Sequence, residues 1–229
     1  MTRHFEQHLQ ELRSRLIKMG SLAENSVNRS IQAVLNKDYE LAKTIIEEDS
    51  RINEMEIEID QSIIDALALQ QPVASDLRLI LAASKINNDL ERIGDHGVNL
   101  AESALALRDK DLPESSLDDV KRMCQLTKRM VGDALDGFIH VDANLGEAVL
   151  LMDDSVDNLN RKITTELMEV MKSSPANIEQ SLEMIRVSRN LERVADLATN
   201  IAEEVVFIAK ARVVKHHAAD HFSTNQNET

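Results

Sequence analysis

Two stretches of this 229-residue chain repeat one another in order, which limits the fold to two copies of one unit. Asp89-Leu90-Glu91-Arg92-Ile93-Gly94-Asp95 is echoed by Asn190-Leu191-Glu192-Arg193-Val194-Ala195-Asp196, at an offset of 101 residues from Glu91 to Glu192. Val98-Asn99-Leu100-Ala101-Glu102 is echoed by Thr199-Asn200-Ile201-Ala202-Glu203. Upstream, Pro72 answers Pro175. Asp49, Ile52, Asn53, Met55 and Ile59 answer Asp153, Val156, Asp157, Leu159 and Ile163 at an offset of 104. Val27, Ile31, Val34, Asp38 and Leu41 answer Val131, Leu135, Phe138, Asp142 and Leu145 at that same offset. The offset drifts only near short loops, where deletions are tolerated.

The composition says what the repeated unit is made of. Apolar residues make up 43% of the chain, but only four Phe and one Tyr are aromatic, with six Gly and three Pro. Turn formers and strand formers are too few for a sandwich or barrel, whereas Leu, Ile, Ala, Met, Glu and Arg in long runs favour helices. The expected fold is all-α: two tandem, pseudo-symmetric three-helix bundles with six long helices, at about 4–36, 39–70 and 76–108, then 116–140, 143–172 and 176–213. Residues 1–110 form the first repeat, 115–213 the second, and 214–229 a polar tail. Asp38 and Asp142 stand where an N-cap carboxylate would accept the free amides of a new helix. Pro72 and Pro175 mark the second turn of each repeat, and Pro113 the joint between them, with Ser115 or Ser116 as the next cap. In the third helices, Ala83, Ile86, Leu90, Ile93, Gly97 and Leu100, and then Met184, Val187, Leu191, Val194, Ala198 and Ile201, recur at spacings of three and four. These are packing seams, and Gly97 and Ala198 would let a neighbouring helix come close.

Charge narrows the function. With 40 Asp and Glu against 26 Lys and Arg, the formal charge is −14. That argues against a non-specific nucleic-acid binder and against adsorption to a bare anionic bilayer. The lone Cys124 allows neither an intrachain disulfide nor a cysteine-based zinc site, which fits a reducing compartment. The N-terminus lacks a signal-peptide stretch and no run is apolar enough to cross a membrane, so the expected location is the cytoplasm, with membrane contact only through another protein.

The third helices carry a second pattern. Glu91, Asp95 and Asn99 follow at i, i+4 and i+8, as do Glu192, Asp196 and Asn200, in a row away from the seam. Carboxylates at i, i+4 repel unless something neutralises them. In antiparallel register, the preceding helix of each repeat brings Asp49 and Asn53, or Asp153 and Asp157, to the height of that row. Hard oxygen ligands gathered at one height can bind a divalent cation. Solvated outer faces of an acidic protein are the plainer reading, and recurrence at matching heights is what counts against it. No Glu-x-x-His occurs, which disfavours a di-iron bundle, and there is no P-loop, Gly-x-Gly-x-x-Gly, His-Glu-x-x-His or Gly-x-Ser-x-Gly. His96 has Leu197 as its counterpart and reads as an interhelical or surface histidine; His140 reads as a helix-terminal cation. His216, His217 and His221 fall in the polar tail.

The paired seven-residue signatures, together with Pro72-Val73-Ala74-Ser75-Asp76-Leu77-Arg78 before the first and Asn200-Ile201-Ala202-Glu203 after the second, resemble the PhoU family from about Leu9 to Val214. The resemblance implies tandem three-helix bundles whose Glu/Asp-x-x-x-Asp motifs bind metal on the bundle surface. On this chain those are Glu91/Asp95, Glu192/Asp196 and Asp153/Asp157. Asp49/Asn53 departs by ending in an amide, and Ala195-Asp196-Leu197 departs from the Gly-Asp-His of the first copy. The implied cofactor is a divalent metal: Mg, Mn, Zn or Fe. The implied function is a non-enzymatic negative regulator and adaptor of phosphate uptake and phosphate-starvation signalling. Such a protein would link the ATPase subunit of a phosphate ABC importer to a sensor histidine kinase, as a homodimer. A metal-dependent hydrolase or a metal-storage helical protein is the alternative.

Overall fold

The computed structural model describes residues 2–70, 72, 74–108, 110 and 114–214, so the expected tail lies outside the described residues apart from Val214. The elements are α1 (Thr2–Asn36), α2 (Tyr39–Glu48), α3 (Ser50–Gln70), α4 (Ala74–Ala106), α5 (Glu114–His140), α6 (Ala143–Leu150), α7 (Asp153–Ser173) and α8 (Ile178–Lys210). A 3₁₀ turn, Pro175–Asn177, precedes α8. No strand occurs among the described residues, and none of their helices is long and apolar enough to cross a membrane. The all-α expectation holds.

The middle helix of each repeat differs from expectation: it is broken. Asp49 separates α2 from α3, and Leu151-Met152 separate α6 from α7. Both breaks are kinks rather than turns, since Asp49 keeps helical angles (φ −59°, ψ −34°) and Leu151 does too (φ −75°, ψ −15°). The chain tightens there into i→i+3 bonds, Ile52 N to Asp49 O at 2.9 Å and Met152 N to Val149 O at 3.0 Å. Asp-Ser and Asp-Asp-Ser at the breaks are weaker helix formers than the Leu, Ile and Glu around them, so packing can bend the helix there.

Each repeat reverses after its first helix through one and the same turn. Lys37 and Val141 both take left-handed backbone (φ 55° and 54°). The following Asp38 and Asp142 amides then donate to Ala33 O (3.0 Å) and Gly137 O (2.9 Å), a Schellman closure. As expected, Asp38 and Asp142 cap the next helix, accepting from Leu41 N at 3.0 Å and Asn144 N at 2.8 Å. Ser115 and Ser116 are not caps: α5 already begins at Glu114, and Ser116 is buried. Pro113 lies outside the described residues.

The expected seams of α4 and α8 are buried throughout. Gly97 brings α4 against α1, where a Cβ would stand 2.5 Å from Ser26 Oγ; Ser30 Oγ donates to Gly97 O at 2.7 Å. α4 and α8 also pack on each other, antiparallel, which joins the two repeats through one continuous apolar cluster. Polar pairs line that contact, with Lys85 and Asp89 of α4 answered by Arg186 and Asn190 of α8. Lys85 pairs with Glu204 at 2.5 Å, and Arg186 with Glu102 at 2.7 Å. Asn200 donates to Asp89 at 3.5 Å, and His96 Nδ1 meets Asn190 Oδ1 at 2.9 Å. α1 and α5 cross antiparallel in the same way.

Candidate metal centre

In the second repeat the kink at Leu151-Met152 makes Asp153 the first residue of α7 and turns it towards α8. One carboxylate oxygen each from Asp153, Asp157 and Asp196 lies within 4.8 Å of the others, at partly buried positions. Glu192, one turn before Asp196, feels the charges of Asp196 and Asp157. Burial pushes Asp153 up to about 6, and the neighbouring charges of Asp157, Asp196, Asp154 and Glu192 add to it. Burial also raises Glu192 and Asp196. Arg193, 3.1 Å from Asp196, and the field of His96 partly offset this for Asp196. Asp153 Oδ1 is buried and accepts no hydrogen bond from the described residues.

The first repeat has the same layout in a softer form. Asp49 stands at the α2–α3 kink beside α4, where a Cβ on Gly94 would lie 3.6 Å from Asp49 Oδ1. That oxygen is also buried and without a donor among the described residues. Here the departure noted in the sequence has a consequence: Asn53 Nδ2 donates to Asp49 Oδ2 at 3.1 Å, where Asp157 in the second repeat can only repel. Burial and the charge of Asp95 still raise Asp49. Burial, with Asp95, Glu56 and Asp49 nearby, raises Glu91. Arg92 turns aside to Asp89 at 3.7 Å, whereas its counterpart Arg193 stays on Asp196.

A buried oxygen without a donor, in a pocket of carboxylates that raise one another, is what a hard divalent cation fits. Oxygen donors without thiolate or imidazole favour Mg²⁺ or Mn²⁺ over softer ions. The second repeat offers the tighter set, Asp153, Asp157 and Asp196 with Glu192 beside them; Asp49, Glu91 and Asp95 form the looser one, with Asn53 as an amide. The sequence reading placed these residues together but missed the kinks that aim Asp49 and Asp153. Two Asp-Ser-type junctions at equivalent positions were the available signal. The other candidates resolve without a ligand. His96 bonds Asn190 between helices, His140 Nδ1 meets Asp136 O at 2.9 Å, and burial pushes the Cys124 thiol up to about 12. His216, His217 and His221 lie outside the described residues.

Fold and site together define a class: all-helical proteins of two pseudo-symmetric repeats, each with an acidic cluster at a kinked helix junction. The family model described as the PhoU domain matches residues 16–104 and 120–205. The chain belongs to the PhoU family. It is 37% identical over 216 residues to a phosphate-specific transport system accessory protein PhoU homolog of Pseudomonas putida, covering 94% of this chain and 84% of that one. The crystal structure of PhoU from Pseudomonas aeruginosa matches with a TM-score of 0.88 and 38% identity, over 91% of this chain and 100% of the other. That of the phosphate transport system regulatory protein PhoU from Streptococcus pneumoniae matches with a TM-score of 0.85 and 28% identity, over 93% and 100%.

Proposed function

We propose that this chain is a regulatory accessory of phosphate uptake, and more specifically a negative regulator and adaptor. In this reading a homodimer in the cytoplasm connects the ATPase subunit of a phosphate importer with a sensor histidine kinase, meeting the membrane only through them. The observation that carries the reading is end-to-end similarity to accessory and regulatory proteins of phosphate transport systems. The same similarity does not favour a metal-dependent hydrolase or a storage protein. Asp153, Asp157, Asp196 and Glu192 would hold a divalent cation, as would Asp49, Glu91, Asp95 and Asn53. A bound cation would supply positive charge that cancels the carboxylate repulsion and fixes each kink against the long helix beside it.

Deleting the gene should raise alkaline phosphatase activity in phosphate-rich medium, and the intact gene should restore repression; an unchanged level in the deletion strain would defeat the reading. For the cation, calorimetric titration with Mn²⁺ should give binding that Asp153→Asn combined with Asp157→Asn weakens at least about tenfold. Equal affinity for variant and parent would remove these ligands from the proposal.

A further inference from the structure

The two acidic clusters differ in what their arginine does. Arg92 and Arg193 hold equivalent places, each following the glutamate of its cluster. On a helix, each can reach the residue three before it and the residue three after it. For Arg92 both are carboxylates, Asp89 and Asp95, and the guanidinium lies against Asp89 at 3.7 Å. For Arg193 the earlier residue is Asn190, a neutral amide already in use. Its Nδ2 donates to Arg186 O at 2.9 Å and its Oδ1 meets His96 Nδ1 at 2.9 Å. Arg193 therefore turns to the cluster itself: Nη1 donates to Asp196 Oδ2 at 3.1 Å, and Nε lies 3.9 Å from Glu192 Oε2. Glu192 also feels the charge of Arg189 one turn earlier, where Glu91 has Asn88. The tighter set of carboxylates is thus the one that carries its own counter-charge.

That placement sets Arg193 against a cation. Asp196 is one of the three carboxylates whose oxygens lie within 4.8 Å of one another. A divalent ion held there would meet a guanidinium within hydrogen-bond reach of one of its own ligands, and like charges so close repel. The Arg193 side chain is 48% exposed, so the way out to solvent is open. Position 190 offers it no carboxylate to move to.

We infer that Arg193 is a built-in counter-ion of the second-repeat cluster, displaced when a divalent cation binds. This rests on the cation site proposed above and adds a readout to it: metal occupancy reappears on the outer surface of α8 as a guanidinium released into solvent. The first repeat lacks the device, because Asp89 already holds Arg92 away from Asp95. The exchange of Asp89 for Asn190 between the repeats is what makes the difference.

The test is calorimetric titration of the full chain with Mn²⁺, the first cluster being neutralised by Asp49→Asn with Asp95→Asn so that one site is read. Adding Arg193→Gln to that parent should tighten binding at least about threefold, the scale set by a half-exposed ion pair. Asn190→Asp, which gives Arg193 the acceptor that Arg92 has, should tighten it too, but not once Arg193 is gone. In the isotope-labelled parent, Mg²⁺ should move the Arg193 Nε–Hε resonance to the position of a solvated arginine and leave that of Arg92 in place. Equal or weaker binding by Arg193→Gln would overturn the inference while leaving the cation site standing. So would an Arg193 resonance that stays put, or a gain from Asn190→Asp that persists without Arg193. No binding by the parent or by any variant would remove the cation site and the inference together. None of these results bears on the regulatory reading.

Discussion

Asp49 and Asp153, repeat equivalents 104 residues apart, each bury one carboxylate oxygen that accepts no hydrogen bond from the described residues. Each stands at a kink that interrupts the middle helix of its repeat, beside a Glu-x-x-x-Asp of the following long helix. A duplicated defect of this kind costs stability twice over unless something else compensates it.

That cost has a pH signature. Burial pushes Asp153, and Asp89 between the repeats, up to about 6, against 3.8 in the unfolded chain. Between those values the folded state holds protons that the unfolded chain has released, so stability falls as pH rises through the window and levels off above it. Urea unfolding in EDTA should therefore show metal-free protein losing about 1–2 kcal/mol between pH about 5 and 7, once solvent screening is allowed for. Asp153→Asn should flatten the slope. Saturating Mn²⁺ should reverse it, because a cation competes with the same protons. A metal-free profile that rises over this interval would contradict the assigned environments.

How far the sequence could be read depends on which contacts are local. The seams from Ala83 to Leu100 and from Met184 to Ile201 follow from helical periodicity, and the caps at Asp38 and Asp142 from chemistry within one turn. The acidic register followed from antiparallel counting. The kinks did not, because Asp49 and Asp153 have helical neighbours on both sides and their geometry is settled by packing against α4 and α8. The α4–α8 contact was equally hidden. Asp89, Lys85, Asn190 and Glu204 look like solvated helix positions until the two repeats dock, and only docking decides which polar face is covered.

Lys85 and Glu204 make an unequal pair at that docking surface. The Glu204 side chain is 8% exposed and the Lys85 side chain 52% exposed. Removing the lysine strands a buried carboxylate beside Asp89, so Lys85→Ala should cost about 2–3 kcal/mol, somewhat less than for a fully buried pair. Adding Glu204→Gln should recover most of the loss. A double-mutant cycle in urea reads the coupling directly, and a coupling near zero would show that the pair does not join the repeats.

Glycine positions give a test of opposite signs. A Cβ on Gly146 would lie 2.9 Å from the backbone oxygen of Ala202 and 3.1 Å from Val206 Cγ2, so α6 would have to move off α8. Gly146→Ala should destabilise by about 1–3 kcal/mol. On Gly132 the nearest atom would be Glu24 Oε1 at 3.8 Å, ordinary contact. Gly132→Ala should stabilise by about 0.5–1 kcal/mol through helix propensity. Thermal unfolding of the two variants should move the midpoint in opposite directions, and the same direction for both would refute the close approach of α6 to α8.

The shared turn after the first helix of each repeat carries a cost that one substitution can relieve. Val141 is β-branched and holds φ at 54°, where its Cβ crowds the following carbonyl; Lys37, in the equivalent place at φ 55°, is unbranched. The Schellman closure depends on the Asp142 amide reaching Gly137 O, not on the valine side chain; Val141 as a residue is 38% exposed. Val141→Gly should therefore keep the turn and relieve the crowding, with a net gain of about 1 kcal/mol after the extra freedom of glycine in the unfolded chain is subtracted. Lys37→Gly should gain less, since an unbranched side chain tolerates the left-handed region better. Urea midpoints of the two single variants measure both effects. If Val141→Gly gained no more than Lys37→Gly, strain at the β-branched position would be the wrong account of this turn.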